Sequence, residues 1–224
     1  MDDEEVRNFY DRYTDKMKDN ENDDNSTFSA VTAVTAVVVQ VIYSLLHHPE
    51  CRNKMQKEID EVVGCGRLPT LDDRQYMPYT ESVIREVLRK ETLVPLGVSH
   101  RVTVDTTLRG YSMPKNTLIY TLLNGAHMDE KVWGDPENFR PERFITEAGT
   151  LVKKDFSIPF GAGKRLCAGE TFARNSLFLL VAALYQNFVF KLPVGAKLPK
   201  LENKIPGAVN TQRDLCWIQA IARN

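Results

Sequence analysis

A chain of 224 residues, 42% hydrophobic and 26% charged, is long enough to bury a core as one large domain or two small ones and lacks the composition of a disordered tail. Its formal net charge of −1 gives no electrostatic basis for gripping nucleic acid over a broad face, so no nucleic-acid partner is expected. Four cysteines, Cys51, Cys65, Cys167 and Cys216, stand without C-x-x-C spacing, which argues against a zinc site or a disulfide framework and favours a reducing compartment.

Residues 1–25, MDDEEVRNFYDRYTDKMKDNENDDN, are acidic where an export signal would be basic and then apolar. They read as an acidic, partly mobile lead-in. The uncharged run 25–46 has the length of a membrane span, for which ~20 apolar residues suffice. Its hydroxyl and amide residues, among them Thr32, Thr35, Gln40 and Ser44, favour a buried helix instead. In HPECRNKMQKEIDEVVG, Met55, Ile59, Val62 and Val63 recur at helical spacing, with Gly64 as a C-cap. A further helix is expected over about Tyr79 to Lys90, with Val83, Val87 and Leu88 inward and Thr70 or Thr80 as caps. Residues 99–123 are rich in Val, Thr and Tyr between turn residues and predict short strands. NGAHMDEKVWGDPENFRPERF predicts an ordered irregular loop, a strongly apolar helix begins near Gly169, and residues 189–224 return to loops and short strands.

The stretch FSIPFGAGKRLCAGE holds one cysteine between glycines. It fails the phosphate-loop pattern, because Ile158 and Arg165 occupy the positions of its first glycine and its Ser/Thr, and it fails G-x-G-x-x-G at Leu166. A cysteine hydrolase would need one of His47, His48, His100 or His127 beside Cys167, and no triad spacing supports one. A lone cysteine is more often a small buried hydrophobe. The surroundings weigh against that here. Gly163 and Gly169 permit backbone conformations that bring a flat ligand close, and a helix N-terminus just after Cys167 offers N–H groups to a thiolate. Arg165 supplies a carboxylate fork, and Phe160 an apolar plate.

The pattern F-x-x-G-x-R-x-C-x-G, here Phe160, Gly163, Arg165, Cys167 and Gly169, resembles the haem-ligand signature of cytochromes P450 of the animal microsomal type. Glu86 and Arg89 in REVLRKE resemble that family's E-x-x-R pair, and Arg143 in FRPERF resembles the arginine that joins it. The resemblance implies a fold that is mainly α with small β regions: the C-terminal half of the cytochrome P450 fold, truncated, over residues 26–224. It implies Cys167 as axial ligand to the iron of haem b, Phe160, Gly163, Arg165 and Gly169 around it, and Arg101 as a second propionate contact. Glu86, Arg89 and Arg143 would be structural, and Val94 to Val98 would line the substrate side. By the same resemblance the activity is monooxygenation: one oxygen atom from O2 enters a small apolar substrate, with NADPH electrons delivered by NADPH–cytochrome P450 reductase. The endoplasmic reticulum membrane is the implied location, although the chain shows no signal or anchor, which leaves the cytoplasm open.

One departure bears on catalysis. The family's distal acid–alcohol motif has no counterpart, since no Asp or Glu occurs between Asp24 and Glu50, and Ala33 and Val34 stand in its closest register. Thr32 and Thr35 remain as hydroxyls, with core packing or helix-backbone bonding the expected role. Poor turnover is therefore expected of this chain, and a non-catalytic haem-binding or interaction fragment is the alternative.

Overall fold

The computed structural model describes residues 24–198 and 217–223; nearly all of the acidic lead-in, and Cys216, lie outside the described residues. Helices α1 (Asp24–His47), α2 (Pro49–Val62), α3 (Pro78–Glu91) and α6 (Glu170–Asn187) build the core, with short helices α4 (Leu123–His127) and α5 (Glu130–Trp133) in the loop region. On α1, Val34, Val37, Val41 and Leu45 are buried along one stripe, against α3 and α6. The uncharged run is thus a packed core helix. Among the described residues no single helix is long and apolar enough to cross a membrane, and α1 and α2 are bent by 114° at their junction.

The N-terminus of α3 departs from the expected cap. Pro78 occupies the first turn, where its missing N–H costs nothing. The next two N–H groups, of Tyr79 and Thr80, donate to the two carboxylate oxygens of Glu58 on α2 at 2.8 and 2.7 Å. Thr80 is not the cap; it is buried, and its hydroxyl donates to the same Glu58 at 2.7 Å. A carboxylate from a neighbouring helix therefore meets the positive end of α3 and docks α2 on it. Thr70 does cap, over the short 3-10 turn Leu71–Tyr76, in a reciprocal box with Asp73. Gly64, at φ 69°, closes α2 by returning its N–H to Ile59 O at 3.3 Å.

Among the described residues the β structure is three two-stranded antiparallel ribbons and an isolated bridge between Ile145 and Leu151. β1 (His100–Arg101) pairs with β4 (Leu118–Ile119), β2 (Thr106–Leu108) with β3 (Tyr111–Met113), and β5 (Phe188–Lys191) with β6 (Gln219–Ala222). Arg109 and Gly110 both take positive φ, 48° and 87°, as a two-residue hairpin turn requires.

The irregular loop is held to α3 by one buried carboxylate. Glu86 is fully buried, and Arg89, one turn on, sends Nε and Nη2 to its two oxygens at 2.7 and 2.9 Å. Arg143 Nε adds a bond to Glu86 Oε1 at 3.1 Å, and the main-chain N–H of Arg140 another at 2.9 Å. The remaining guanidinium N–H groups donate to loop carbonyls: Arg89 to His127 and Pro136, both at 2.8 Å, and Arg143 to Trp133 at 3.0 Å, Asp135 at 3.1 Å and Asn138 at 3.0 Å. Trp133 covers the cluster, its ring 5.2 Å from the Arg89 guanidinium. An exposed ion pair would contribute ~0–1 kcal/mol; the Glu86–Arg89 pair is fully buried, while Arg143 also pairs with the partly exposed Asp135 carboxylate, Nη1 to Oδ1 at 3.2 Å. Truncating one member leaves a buried charge without its partner. Arg89→Leu is expected to lower the unfolding free energy by about 3–5 kcal/mol, against at most about 1 kcal/mol for Lys57→Ala at the exposed α2 surface; urea titration of both variants checks the contrast.

Candidate active site

The Cys167 loop is built by turns that bond to one another. Ile158 O accepts the N–H of Gly161 at 3.0 Å, Gly163 O that of Leu166 at 3.1 Å, and Phe160 O that of Cys167 at 2.9 Å. The last bond closes the loop at its neck. Gly161 and Gly163 sit at φ 79° and 73°, where a side chain is strained. Gly169 does not: its φ is −90°. A Cβ built at Gly169 would lie 3.9 Å from Cys167 Sγ, an ordinary van der Waals contact. Phe160 packs against the core and lies under the Arg174 guanidinium at 4.8 Å, which pins the neck to α6.

Cys167 itself is exposed. Its Sγ has no hydrogen-bond partner among the described residues, so the expected N–H donation from the start of α6 is not made; the helix opens instead with Glu170 N donating to Cys167 O at 3.3 Å. Arg165 is exposed beside it, also without a partner among the described residues. Leu166 and Phe172 leave apolar surface on the same stretch, at 46% and 57% exposure. The loop thus presents a thiol, a guanidinium and apolar surface outward, while three main-chain bonds hold its turns.

The structure gathers the sequence-predicted residues into two groups. Glu86, Arg89 and Arg143 form the buried cluster, whereas Phe160, Gly163, Arg165, Cys167 and Gly169 form the loop. Arg101 belongs to neither: it is exposed on β1 opposite Leu118. Val98, in the stretch expected at the substrate side, is 74% exposed. Thr32 and Thr35 are exposed on α1 and their hydroxyls bond no described residue, which corrects the expectation of core packing or side-chain bonding to the helix backbone; both lie off the Val34–Val37–Val41 stripe that the core takes. A cavity of about 370 Å³ lies against Trp133, Arg143, Phe144 and Phe156 and includes no residue of the cysteine loop.

Sequence reasoning named His127 only as a partner for a cysteine nucleophile, and that role is closed to it. The imidazole is buried with both nitrogens engaged, Nδ1 on Thr92 Oγ1 at 2.7 Å and Nε2 accepting the N–H of Ile158 at 2.9 Å. It ties the end of α3 to the run that leads into the cysteine loop. A second tie joins Arg85 Nη1 to Asp155 Oδ2 at 3.5 Å. No sequence signal marked either, because both join segments far apart in the chain.

The sequence that builds this helical core, buried Glu–Arg–Arg cluster and cysteine loop is similar to that of known proteins. Residues 2–217 match the family described as cytochrome P450. The chain is 48% identical over 150 residues to cytochrome P450 2B12 of Rattus norvegicus, covering 67% of this chain and 30% of that one. It is 44% identical over 157 residues to cytochrome P450 2U1 of Homo sapiens, covering 70% and 29%, and 41% identical over 168 residues to cytochrome P450 18a1 of Drosophila melanogaster, covering 75% and 31%. The chain belongs to the cytochrome P450 family. It spans about 30% of the length of these relatives.

Burial, followed by the nearby Arg89 charge, lowers the His127 pKa to about 4. An unfolded chain binds that proton near pH 6.5. The neutral imidazole's stabilisation is therefore complete above about pH 6.5 and is lost as pH falls towards about 4. The urea midpoint of the wild-type chain is expected to drop across this window more steeply than that of His127→Gln; equal slopes would contradict a buried neutral imidazole.

Proposed function

We propose that this chain carries the thiolate side of a haem monooxygenase, with Cys167 as axial ligand to the iron of haem b. One observation carries the reading: on a loop closed by its own main-chain bonds, Cys167 is exposed and its sulfur has no hydrogen-bond partner among the described residues. The surrounding groups fit the cofactor. Gly169 places no side chain beside the sulfur, Leu166 and Phe172 offer apolar surface to a porphyrin, and the exposed Arg165 guanidinium suits a propionate. Arg101 is the second propionate contact in this reading. When bound, thiolate-ligated haem supplies reductive activation of O2 and transfer of one oxygen atom to an apolar substrate, with NADPH electrons arriving through a reductase.

This chain's residues hold the sulfur in place and leave one face of the site to others. Phe160 and the neck bond fix the loop, and Glu86, Arg89 and Arg143 fix the supporting irregular segment. On the oxygen side, α1 offers Thr32 and Thr35 as exposed hydroxyls and no carboxylate between Asp24 and Glu50. Organised proton delivery needs a positioned acid or relay, so this chain alone supports haem ligation better than turnover. The full activity, its reductase partner and the endoplasmic-reticulum membrane location belong to the longer relatives' architecture in this reading.

A second reading, a non-catalytic interaction fragment, draws on exposed apolar positions of two core helices: Val39 on α1, and Phe172 and Leu180 on α6. Reduced, haem-reconstituted chain treated with carbon monoxide separates the two. Ligation through Cys167 predicts the red-shifted Soret band of a thiolate-ligated haem, lost in Cys167→Ala while haem-free stability stays within about 0.5 kcal/mol, since the thiol is exposed. Absence of haem uptake, together with strong binding of an apolar dye by the haem-free chain, would favour the fragment reading.

A further inference from the structure

We propose that His127 is a positioning residue for the Cys167 loop: its ring transmits the register of α3 to the cysteine-bearing backbone, with Arg85–Asp155 as a second tie from the same helix. The spectroscopic part of this proposal rests on haem ligation by Cys167; the mechanical part does not.

The bonding pattern fixes direction and tautomer. Because Nε2 accepts the N–H of Ile158 at 2.9 Å, it carries no proton, so Nδ1 carries one and donates to Thr92 Oγ1 at 2.7 Å. The Thr92 hydroxyl donates in turn to Arg89 O at 2.7 Å. Thr92 is held at φ 32°, a left-handed conformation for a β-branched residue, and the hydroxyl's two bonds explain what retains it. Ile158 is thereby linked, through two side chains, to the last turn of the helix that carries Glu86 and Arg89.

From Ile158 the linkage runs on through the main chain. Ile158 O accepts from Gly161 N at 3.0 Å, and Phe160, between them, accepts from Cys167 N at 2.9 Å. A displacement of Ile158 therefore reaches the residue that closes the neck of the cysteine loop. Upstream, Asp155 Oδ1 accepts from Ser157 N at 2.8 Å while its other oxygen faces Arg85. Arg85 lies within α3 and the Thr92 hydroxyl bonds the main-chain carbonyl of Arg89 in its last turn, so both ties hold to one helix. The ring is more than core filler, since an apolar filler of the same volume would leave the partly buried Ile158 bond unmade.

Two substitutions separate positioning from packing. His127→Asn places an amide where Nδ1 stands and falls short of Ile158; His127→Gln reaches the position of Nε2 and restores an acceptor. Both remove the ring. In the haem-free full chain, hydrogen–deuterium exchange across 156–168 is expected to be roughly tenfold faster in His127→Asn, the scale of one lost hydrogen bond, and within about twofold of wild type in His127→Gln. In the haem-loaded chain the red-shifted carbon monoxide band is expected to fall by more than half in the Asn variant and to persist in the Gln variant. Equal loop exchange in both variants, whether raised or unchanged, would overturn the proposal. Should the wild-type chain take up no haem, the functional reading fails and the exchange comparison alone decides the role of His127. If His127→Asn does not fold, Asp155→Asn, which keeps the Ser157 bond and removes the attraction to Arg85, is expected to raise loop exchange two- to threefold, the scale of a partly exposed ion pair; no change would count against the proposal.

Discussion

The Glu86 carboxylate is the interaction on which the rest depends. Two guanidinium groups and a main-chain N–H converge on it in a fully buried site. Burying these charges is costly, and their mutual attraction only offsets that cost when every remaining N–H finds a partner. The partners are carbonyls of the irregular loop, at His127, Trp133, Asp135, Pro136 and Asn138. A segment of short helices and irregular turns thus acquires one conformation, and it places His127 where the approach to the cysteine loop can lean on it.

That arrangement divides the chain into a rigid support and a presented group. The support consists of α3, its Glu58-capped N-terminus and the loop locked against Glu86. The presented group is the Cys167 sulfur, exposed on a loop closed by a single main-chain bond to Phe160. A soft ligand aimed at a metal gains from such preorganisation, because the loop is ordered before the ligand bond forms.

Much of this was legible in the chain's own pattern. Helix periodicity located α2 and α3, and the five fixed positions from Phe160 to Gly169 marked the cysteine loop, because local spacing sets both. The Glu86, Arg89 and Arg143 grouping was legible only by resemblance to a family motif, since nothing in residues 86–89 says that the pair is buried or that a residue 57 positions away joins it. What stayed hidden was long-range. Thr80 has the residue type of a cap, yet Glu58 arrives from another helix and takes the donors first. Gly169 looks like a conformational glycine, yet its φ is −90° and only the Cys167 sulfur lies near the position of its missing side chain. Thr32 and Thr35 sit in an apolar run that suggests core, while the helix turns them off its buried stripe. His127 lies in an aperiodic stretch where no pattern separates a surface histidine from a buried one.

The claim that this support exists to hold sulfur against iron is tested most directly by iron K-edge X-ray absorption of the haem-reconstituted chain. Ligation by Cys167 predicts one sulfur scatterer in the first coordination shell, present in wild type and absent in Cys167→Ala. A first shell of nitrogen and oxygen alone in the wild-type chain would contradict it.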